Sequence, residues 1–214
     1  MNSPVIFHHP FSMIVAGPTM CGKSHFIINL LNSSKLIKPK PSQVFWHYGI
    51  ENREQFNEIQ TASLYPVTFI KGLPIIEELQ ENKNSIIILD DLMQDSGKSK
   101  GIADLFTKGV HHCNISVILL MQNIFHQGKH MRDISLNTSY FVLFKNPRDS
   151  RQILTLSNQI FGKNSNYLID AYQQATKRPH GYLIINLTQH VPDNQRLYTN
   201  IFPLEFYYLF VPKK

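Results

Sequence analysis

SMIVAGPTMCGKS, residues 12–24, places a short apolar run before a loop with the spacing G-x-x-x-x-G-K-S. Gly17 and Gly22 permit unusual backbone angles and close approach, so that successive backbone N–H groups can face the oxygens of one phosphate. The pattern carries weight only between a strand and a helix. Here Met13 to Val15 precede the loop, and the apolar residues of 25–31 recur at helical spacing. The stretch therefore predicts a phosphate-binding loop; the alternative is a chance loop ahead of an ordinary helix.

The loop predicts which groups would bind a nucleoside triphosphate. Lys23 is expected to reach the β- and γ-phosphates, and the Ser24 hydroxyl is expected to ligate Mg²⁺. The predicted cofactor-binding residues form one continuous run: Gly17, Pro18, Thr19, Met20, Cys21, Gly22, Lys23, Ser24 and His25.

Length and composition restrict the class of protein. The 214 residues suffice for one α/β domain with a full core, so we expect a single domain over 1–214. Apolar residues make up 43% and charged residues 17%, which indicates a folded chain. The net charge of +6 favours an anionic partner, with nucleic acid first. Two cysteines are too few for a disulfide framework or a zinc site, and no apolar run is long enough to span a membrane, so a soluble, unexported protein is expected.

SIIILDDL, residues 85–92, is the second strong signal. Four consecutive branched aliphatic side chains cannot alternate between a buried and an exposed face, which indicates a strand buried on both sides in a parallel sheet. Asp90 and Asp91 follow at its C-terminal end, where open α/β sheets bind ligands. We interpret them as a Walker B element in which Asp90 holds Mg²⁺ and Asp91 is the general base for the attacking water. The alternative is a helix cap or a surface turn.

ISVILLM, residues 115–121, predicts a further buried strand that ends on Gln122 and Asn123. An amide at this position could sense the γ-phosphate or orient water. From spacing alone, a simple strand-terminating turn is an equal alternative.

Two arginines are candidates for stabilising charge in the transition state, either in cis or from a neighbouring subunit: Arg132 and Arg148. The alternative for each is an ordinary surface arginine. His111, His112 and Cys113 are adjacent and lack a wider ligand pattern, so the sequence predicts no metal site built from protein ligands alone.

Patterning elsewhere predicts the remaining elements. Residues 1–11 form a lead-in rich in His and Pro, with His8 and His9 interpreted as a solvated arm. Aromatic and β-branched runs predict strands at 44–48, 67–70, 140–144 and 182–187, the last being the final core strand. Helical spacing predicts helices at 51–62, 75–80, 102–111, 150–160 and 167–177, and a polar loop occupies 94–101. Residues 196–214 form an aromatic tail that packs in the core or against another subunit, with base stacking as the alternative.

Phrases along the chain, taken together, resemble the genome-packaging ATPases of the FtsK/HerA superfamily. The phrases are AGPTMCGKS (16–24), IIILDDLM (86–93), HHCNISVILLMQNIF (111–125), RDISLN (132–137), FKNPRD (144–149) and PHGYLIINL (179–187). The likeness is greatest to the short forms encoded by Polinton-like elements and adintovirus-like double-stranded DNA viruses, and it covers residues 11–203.

The resemblance implies a fold, a three-layer α/β/α P-loop NTPase with a mostly parallel sheet in the additional-strand arrangement. In that arrangement the strand ending at Gln122 lies between the strand before Gly17 and the strand ending at Asp90. Gln122 is then placed beside the γ-phosphate, which favours the sensor interpretation. Asp91 stands where many relatives have Glu, which is one methylene longer.

The resemblance also implies a function. A ring, usually hexameric, uses ATP and Mg²⁺ to translocate double-stranded DNA into a preformed capsid. The implied partners are double-stranded DNA, further copies of the chain, and capsid or portal-vertex proteins, at virion assembly sites in the host cytoplasm or nucleus or in the virion. Arg132 ranks above Arg148 as the arginine finger. The charges available to contact DNA are Lys98, Lys100, Lys129 and Arg132.

Three rival functions remain open. A DNA helicase and a nucleotide kinase both use the same phosphate-binding loop. A third alternative is an assembly module that binds ATP without hydrolysing it.

Overall fold

A nine-stranded sheet forms the centre of the computed structural model, which describes residues 5–75, 83–90, 92, 100–110, 113–124, 130–148 and 150–212. The strands are β1 (Phe7–His8), β2 (Ser12–Ala16), β3 (Ile37–Lys38), β4 (Gln43–Tyr48), β5 (Val67–Lys71), β6 (Ser85–Asp90), β7 (Ile115–Met121), β8 (Tyr140–Phe144), β9 (Tyr182–Asn186), β10 (Leu197–Thr199) and β11 (Tyr208–Phe210). Their order in the large sheet is β11-β10-β9-β8-β2-β7-β6-β4-β5, and β1 pairs with β3 in a separate two-stranded sheet.

The strand order confirms the additional-strand arrangement. The pairs from β5 across to β8 are all parallel, while β8-β9, β9-β10 and β10-β11 are antiparallel. β7 lies between β2, which leads into the phosphate-binding loop, and β6, which ends at Asp90. The carboxyl ends of β2, β7 and β6 therefore meet at one edge of the sheet.

Helices cover both faces of the sheet, which gives the predicted three layers. They are α1 (Lys23–Leu31), α2 (Arg53–Ala62), α3 (Lys100–Asp104), α4 (Met131–Leu136), α5 (Arg151–Phe161) and α6 (Asn166–Ala175), and a π-helical turn at Leu105–Gly109 continues α3. Helices α1 and α2 bury side chains in the hydrophobic cluster on one face, and α3 to α6 bury theirs in the cluster on the other. None of the described helices is long and apolar enough to cross a membrane.

The buried strand β6 has the two-sided burial that its sequence predicts. Ile86, Ile87 and Ile88 are all fully buried. Because successive side chains of a strand point to opposite faces, Ile87 packs into one cluster and Ile86 and Ile88 into the other. The strand is thus fixed from both sides where it delivers Asp90.

The amino-terminal segment differs from the predicted solvated arm. Phe7 is fully buried and packs edge-to-face on Tyr140 at 4.9 Å between ring centroids. His8 is exposed, as expected, but the prediction is wrong for His9, which is 5% exposed. Its Nδ1 lies 2.6 Å from the Oγ of Ser116 in β7, and that oxygen also accepts a hydrogen bond from the N–H of Phe11. The segment is therefore part of the core.

Burial of His9 predicts a pH dependence of stability. Burial lowers the pKa of His9 below its usual value near 6.5, against smaller opposing effects of Asn114 and Asn84. The unfolded chain then binds more protons than the folded one as the pH falls below about 6.5. We expect the free energy of unfolding to decrease over that range, and to decrease less in His9→Gln, when both are measured by urea denaturation at pH 5 to 8. His8→Gln is the matched control, because it makes the same change at an exposed neighbour; equal slopes in His9→Gln and wild type would contradict the assignment.

The carboxyl-terminal segment also adds strands to the sheet. Residues 182–187 are not the final core strand, because β10 pairs antiparallel with β9 and β11 pairs with β10. Leu197 and Tyr198 are buried, which confirms core packing for the first part of the aromatic tail. Phe206 and Tyr208, in contrast, are 73% and 53% exposed.

Several predicted boundaries move for local reasons. α2 begins at Arg53 because the Asn52 side chain caps it, accepting a hydrogen bond from the N–H of Gln55 at 3.2 Å. The helix predicted at 102–111 begins earlier, at Lys100, and so takes up the end of the predicted loop 94–101. Residues 76–80 of one predicted helix, residues 94–99 of that loop, and His111 and His112 lie outside the described residues.

Candidate nucleotide-binding site

The loop between β2 and α1 is joined to β7 at its start and closed by a turn within the loop. The N–H of Gly17 donates to the carbonyl of Met121 in β7 at 3.1 Å, and the N–H of Cys21 donates to the carbonyl of Pro18 at 3.3 Å. Met20 and Gly22 adopt left-handed backbone angles, with φ of 63° and 110°. α1 then begins at Lys23 with no side chain capping its first turn. The first N–H groups of a helix lack intrahelical partners and carry a partial positive charge, so this end of α1 suits an anion.

Lys23 is positioned by the loop itself. Its Nζ donates hydrogen bonds to the carbonyl oxygens of Gly17 at 2.7 Å and Pro18 at 3.0 Å. Ser24 follows in the first turn and is half-buried, whereas Thr19, Met20 and His25 are exposed. Residues 17–22 of the loop, the Lys23 ammonium group and the first turn of α1 therefore form one compact phosphate-binding structure, the cradle.

The thiol of Cys21 lies within the same cradle. Burial raises its pKa, and the positive charge of Lys23 acts in the opposite direction. The net direction is upward, so the thiol is neutral at pH 7 and adds no negative charge where phosphates would bind.

Asp90 and Gln122 lie on the same sheet edge as the cradle. Ala16 is in register with Met121, and Asp90 with Leu120, so Gln122 directly follows the strand beside Gly17. β6 is two strands away from β2, about 10 Å at the usual strand spacing. The Asp90 carboxylate is oriented by Trp46, whose Nε1 donates to Oδ2 at 3.2 Å. Asp91 lies outside the described residues, and its role as general base stays a prediction.

Ser24 and Asp90 offer chemistry that fits Mg²⁺. Both provide oxygen ligands, which Mg²⁺ prefers, and both stand at the carboxyl edge of the sheet where the cradle opens. Among the residues that the structure describes, no group of three or more His, Cys, Asp or Glu side chains could hold a metal by itself. Ser24 and Asp90 therefore have the oxygen chemistry that Mg²⁺ requires, and magnesium binding by them stays a prediction.

A small cavity lies directly behind the cradle. It has a volume of about 10 Å³, room for about one water molecule. Polar groups line it: Gln152 Oε1 accepts from the N–H of Ile124 at 2.9 Å, and the Tyr172 hydroxyl donates to the carbonyl of Phe144 and accepts from the N–H of Asn146. Sequence reasoning missed Gln152 and Tyr172, since Gln152 is the second residue of α5, Tyr172 lies within α6, and neither stands in a motif.

Arg132 and Arg148 are both exposed, but they occupy different parts of the fold. Arg132 lies in the first turn of α4. Arg148 follows the carboxyl end of β8, the strand that pairs with β2 on the side opposite β7, and so lies at the cradle edge. Within the part of the chain that the structure describes, neither arginine contacts the cradle. The role of arginine finger therefore stays a prediction for both.

The close packing around Gly17 predicts that the loop tolerates no side chain there. A Cβ added to Gly17 would lie 2.7 Å from both the Cys21 Sγ and the Phe144 Cβ, and the latter is fixed to the backbone of β8. We expect Gly17→Ala to lower the free energy of unfolding by about 1–3 kcal/mol and to abolish nucleotide binding, measured by thermal denaturation and by titration with a fluorescent ATP analogue. Gly72→Ala is the control, because it strains a residue at φ 88° with open space around it. It is expected to lower stability yet leave binding intact; normal binding in Gly17→Ala would contradict the geometry.

A much larger cleft of about 1080 Å³ opens beside the cradle. Gly22 and His25 line it at the start of α1, and Arg178 and His180 line it from the turn between α6 and β9. The Nδ1 of His180 lies 3.1 Å from the carbonyl oxygen of Cys21, so this turn contacts the cradle directly. Sequence reasoning gave His180 no role, although it stands in the phrase PHGYLIINL.

The sheet order and the loop between β2 and α1 define the protein as a P-loop NTPase by fold. The chain belongs to the family described as Poxvirus A32 protein, whose profile matches residues 2–200. A comparison with curated proteins found no significant match.

Solved structures of viral NTPases share this fold. The genome packaging NTPase B204 from Sulfolobus turreted icosahedral virus 2 in complex with AMPPCP has 12% identity and a TM-score of 0.57, over 95% of this chain and 98% of that chain. Its complex with ATP-gammaS has 12% identity and a TM-score of 0.55 over the same shares. B204, the DNA-packaging ATPase from Sulfolobus turreted icosahedral virus, has 13% identity and a TM-score of 0.56, over 96% of this chain and 100% of that chain. At these identities the likeness establishes the fold alone.

Proposed function

We propose that this protein is an ATP-hydrolysing motor that translocates double-stranded DNA into a viral capsid. The observation that carries the proposal is the position of β7 between the cradle strand β2 and the Asp90 strand β6. Membership of the Poxvirus A32 protein family supports it, as does the similar fold of a protein named as a genome packaging NTPase and solved with ATP analogues.

In the proposed mechanism the chain holds the triphosphate and places the attacking water. Lys23 and the first N–H groups of α1 bind the phosphates, and Ser24 and Asp90 hold Mg²⁺, which supplies positive charge against the phosphate oxygens when it is bound. Asp91 accepts a proton from the water, and Gln122 orients that water for in-line attack. An arginine from a neighbouring subunit, Arg132 in preference to Arg148, stabilises the charge that develops.

The proposed partners follow from the same assignment. We propose a homo-oligomeric ring, hexameric in form, in which each chain 1–214 is one ATPase domain that meets DNA in the channel and capsid or portal-vertex proteins at the vertex. The net charge of +6 supports an anionic partner. The candidate DNA contacts Lys98 and Lys129 lie outside the described residues, and Lys100 begins α3. The phrases from Ala16 to Leu187 support a Polinton-like or adintovirus-like type that acts at virion assembly sites.

The deciding experiment measures the ATPase rate with no DNA, with single-stranded DNA and with long duplex DNA, together with the mass of the oligomer in solution. The proposal expects a ring whose rate rises most with duplex DNA. Greater stimulation by single strands would favour a helicase. Phosphate transfer to a small acceptor without a DNA effect would favour a kinase, and ATP binding without turnover would favour an assembly module.

The arginine finger can be tested in mixed assemblies. Arg132→Ala is expected to lose ATP turnover, and mixing it with Lys23→Ala subunits is expected to restore a fraction of it, because each Lys23→Ala subunit retains its arginine. The rate is measured across mixing ratios, and Arg148→Ala is carried through the same series. Activity that never recovers at any ratio would remove the support for a finger acting in trans.

A further inference from the structure

The large cleft beside the cradle has the size and the placement of a second half of the nucleotide site. Its volume of about 1080 Å³ is comparable to that of small-molecule pockets, ~300–1,000 Å³. Gly22 and His25 belong both to the predicted phosphate contacts and to the cleft lining. A ligand whose phosphates occupy the cradle therefore has one continuous space into which the rest of it can extend.

Part of the cleft lining is packed into the core. Phe26 in α1 is buried and packs edge-to-face on Tyr182 at 5.0 Å and on Phe202 at 5.1 Å between ring centroids. The Tyr182 hydroxyl in turn donates to the Glu205 carboxylate at 3.0 Å, and the N–H of Phe202 donates to the same oxygen. The chain from 202 to 205 is thereby tied to the core.

Two exposed aromatic residues follow that segment along the chain. Phe206 directly follows Glu205, and Tyr208 is held in β11 by pairing with Thr199 in β10. Both rings line the cleft, although they are 73% and 53% exposed. Large apolar side chains held in fixed positions but left open to solvent are typical of a surface that another group covers.

Another part of the cleft lining is basic and contacts the cradle. Lys177 and Arg178 are exposed and line the cleft, and His180, two residues on, lies against the carbonyl oxygen of Cys21 at 3.1 Å. Positive charge close to the first turn of α1 suits the α-phosphate and ribose end of a nucleotide. The aromatic rings in the same lining suit a flat base, because every base has a face on which such rings can stack.

We propose that this cleft binds the nucleoside of the bound nucleotide, with the base stacked on Phe206 and Tyr208. The proposal rests on the proposed function, since it assumes that the cradle holds the triphosphate. The carboxyl-terminal segment then completes the nucleotide site of its own chain. His180, in the turn at 177–181, connects the basic part of the cleft to the cradle.

Titration of the full-length protein with ATP and with inorganic tripolyphosphate tests the assignment, because tripolyphosphate can occupy the cradle but has no base. The double variant Phe206→Ala/Tyr208→Ala is expected to bind ATP about tenfold or more weakly, at the usual strength of base stacking, while its affinity for tripolyphosphate stays unchanged. Leu209→Ala is the matched control: it removes a partly exposed side chain from the same strand, on the face turned away from the cleft. It is expected to leave both affinities unchanged. Phe206→Tyr and Tyr208→Phe keep the rings and are expected to keep ATP affinity.

Three outcomes would overturn the inference. Unchanged ATP affinity in the double variant would remove the stacking platform while leaving the proposed function in place. An equal loss of affinity for both ligands would mean that the rings support the cradle and do not contact a base. A loss of ATP affinity seen only where the oligomer mass also falls would make the two rings a subunit contact. Failure of the wild-type protein to bind either ligand would instead overturn the proposed function itself, and this inference with it.

Discussion

Lys23→Ala is expected to abolish ATP turnover. The Lys23 ammonium is positioned by the carbonyl oxygens of Gly17 and Pro18, at 2.7 and 3.0 Å, at the point where β2 enters the loop. A phosphate in the cradle can exchange these neutral acceptors for charged oxygens, and charge-assisted hydrogen bonds are the stronger ones. Alanine offers no donor, so the γ-phosphate loses its main fixed positive charge both in the bound state and in the transition state.

We expect the steady-state ATPase rate of Lys23→Ala to fall by about 100-fold or more, the usual cost of removing one charge-stabilising donor. Tripolyphosphate affinity is expected to fall with it. Lys163→Ala is the control, because Lys163 is exposed in the short helical turn Gly162–Asn164, remote in sequence from the loop. A thermal denaturation temperature close to wild type in both variants separates lost chemistry from lost folding. Turnover in Lys23→Ala near the wild-type rate would end the cradle assignment.

The parts of the fold that were predictable from the sequence are those whose signal is local. Ile86 to Ile88 could be assigned to a strand that is buried on both faces, because such burial requires an unbroken apolar run. The loop from Gly17 to Ser24 could be assigned because its spacing and both of its flanks agree, and the order β2-β7-β6 followed from the resemblance carried by several phrases. Each of these features lies within about twenty residues of chain or in a recognisable phrase.

The parts that escaped prediction depend on partners distant along the chain. His9 looks solvated in MNSPVIFHHP, and its burial follows from Ser116, 107 residues away. β10 has three residues, too few for a periodic pattern, and it forms because β9 offers a free edge. The contact between His180 and Cys21 spans 159 residues. The cleft could not be predicted for the same reason: its walls come from α1, the turn after α6 and the carboxyl-terminal strands, and only the assembled sheet brings them together.

Asp91→Asn is expected to separate binding from hydrolysis. Asp90, the last residue of β6, is fixed by Trp46 at the carboxyl edge of the sheet, and Asp91 is the next residue of the chain. An amide keeps the size of the carboxylate but replaces one acceptor oxygen with an N–H donor group, and it cannot accept the proton of the attacking water. ATP affinity is therefore expected to stay near wild type, while the hydrolysis rate is expected to fall by about 100-fold or more, within the usual contribution of a general base.

Comparison with two other substitutions tests whether the loss of turnover comes from the general base. Lys23→Ala is expected to lose affinity and turnover together, whereas Asp91→Asn is expected to lose turnover alone, as measured by titration and by steady-state phosphate release on the same preparations. Glu54→Gln makes an equivalent acid-to-amide change in the exposed first turn of α2 and is expected to leave both quantities unchanged. Asp91→Asn with wild-type turnover would exclude Asp91 as the base. The proton would then have to leave through another acceptor at the same sheet edge, and Asp90→Asn, which is expected to weaken Mg²⁺-dependent ATP binding, would be the variant to compare with it.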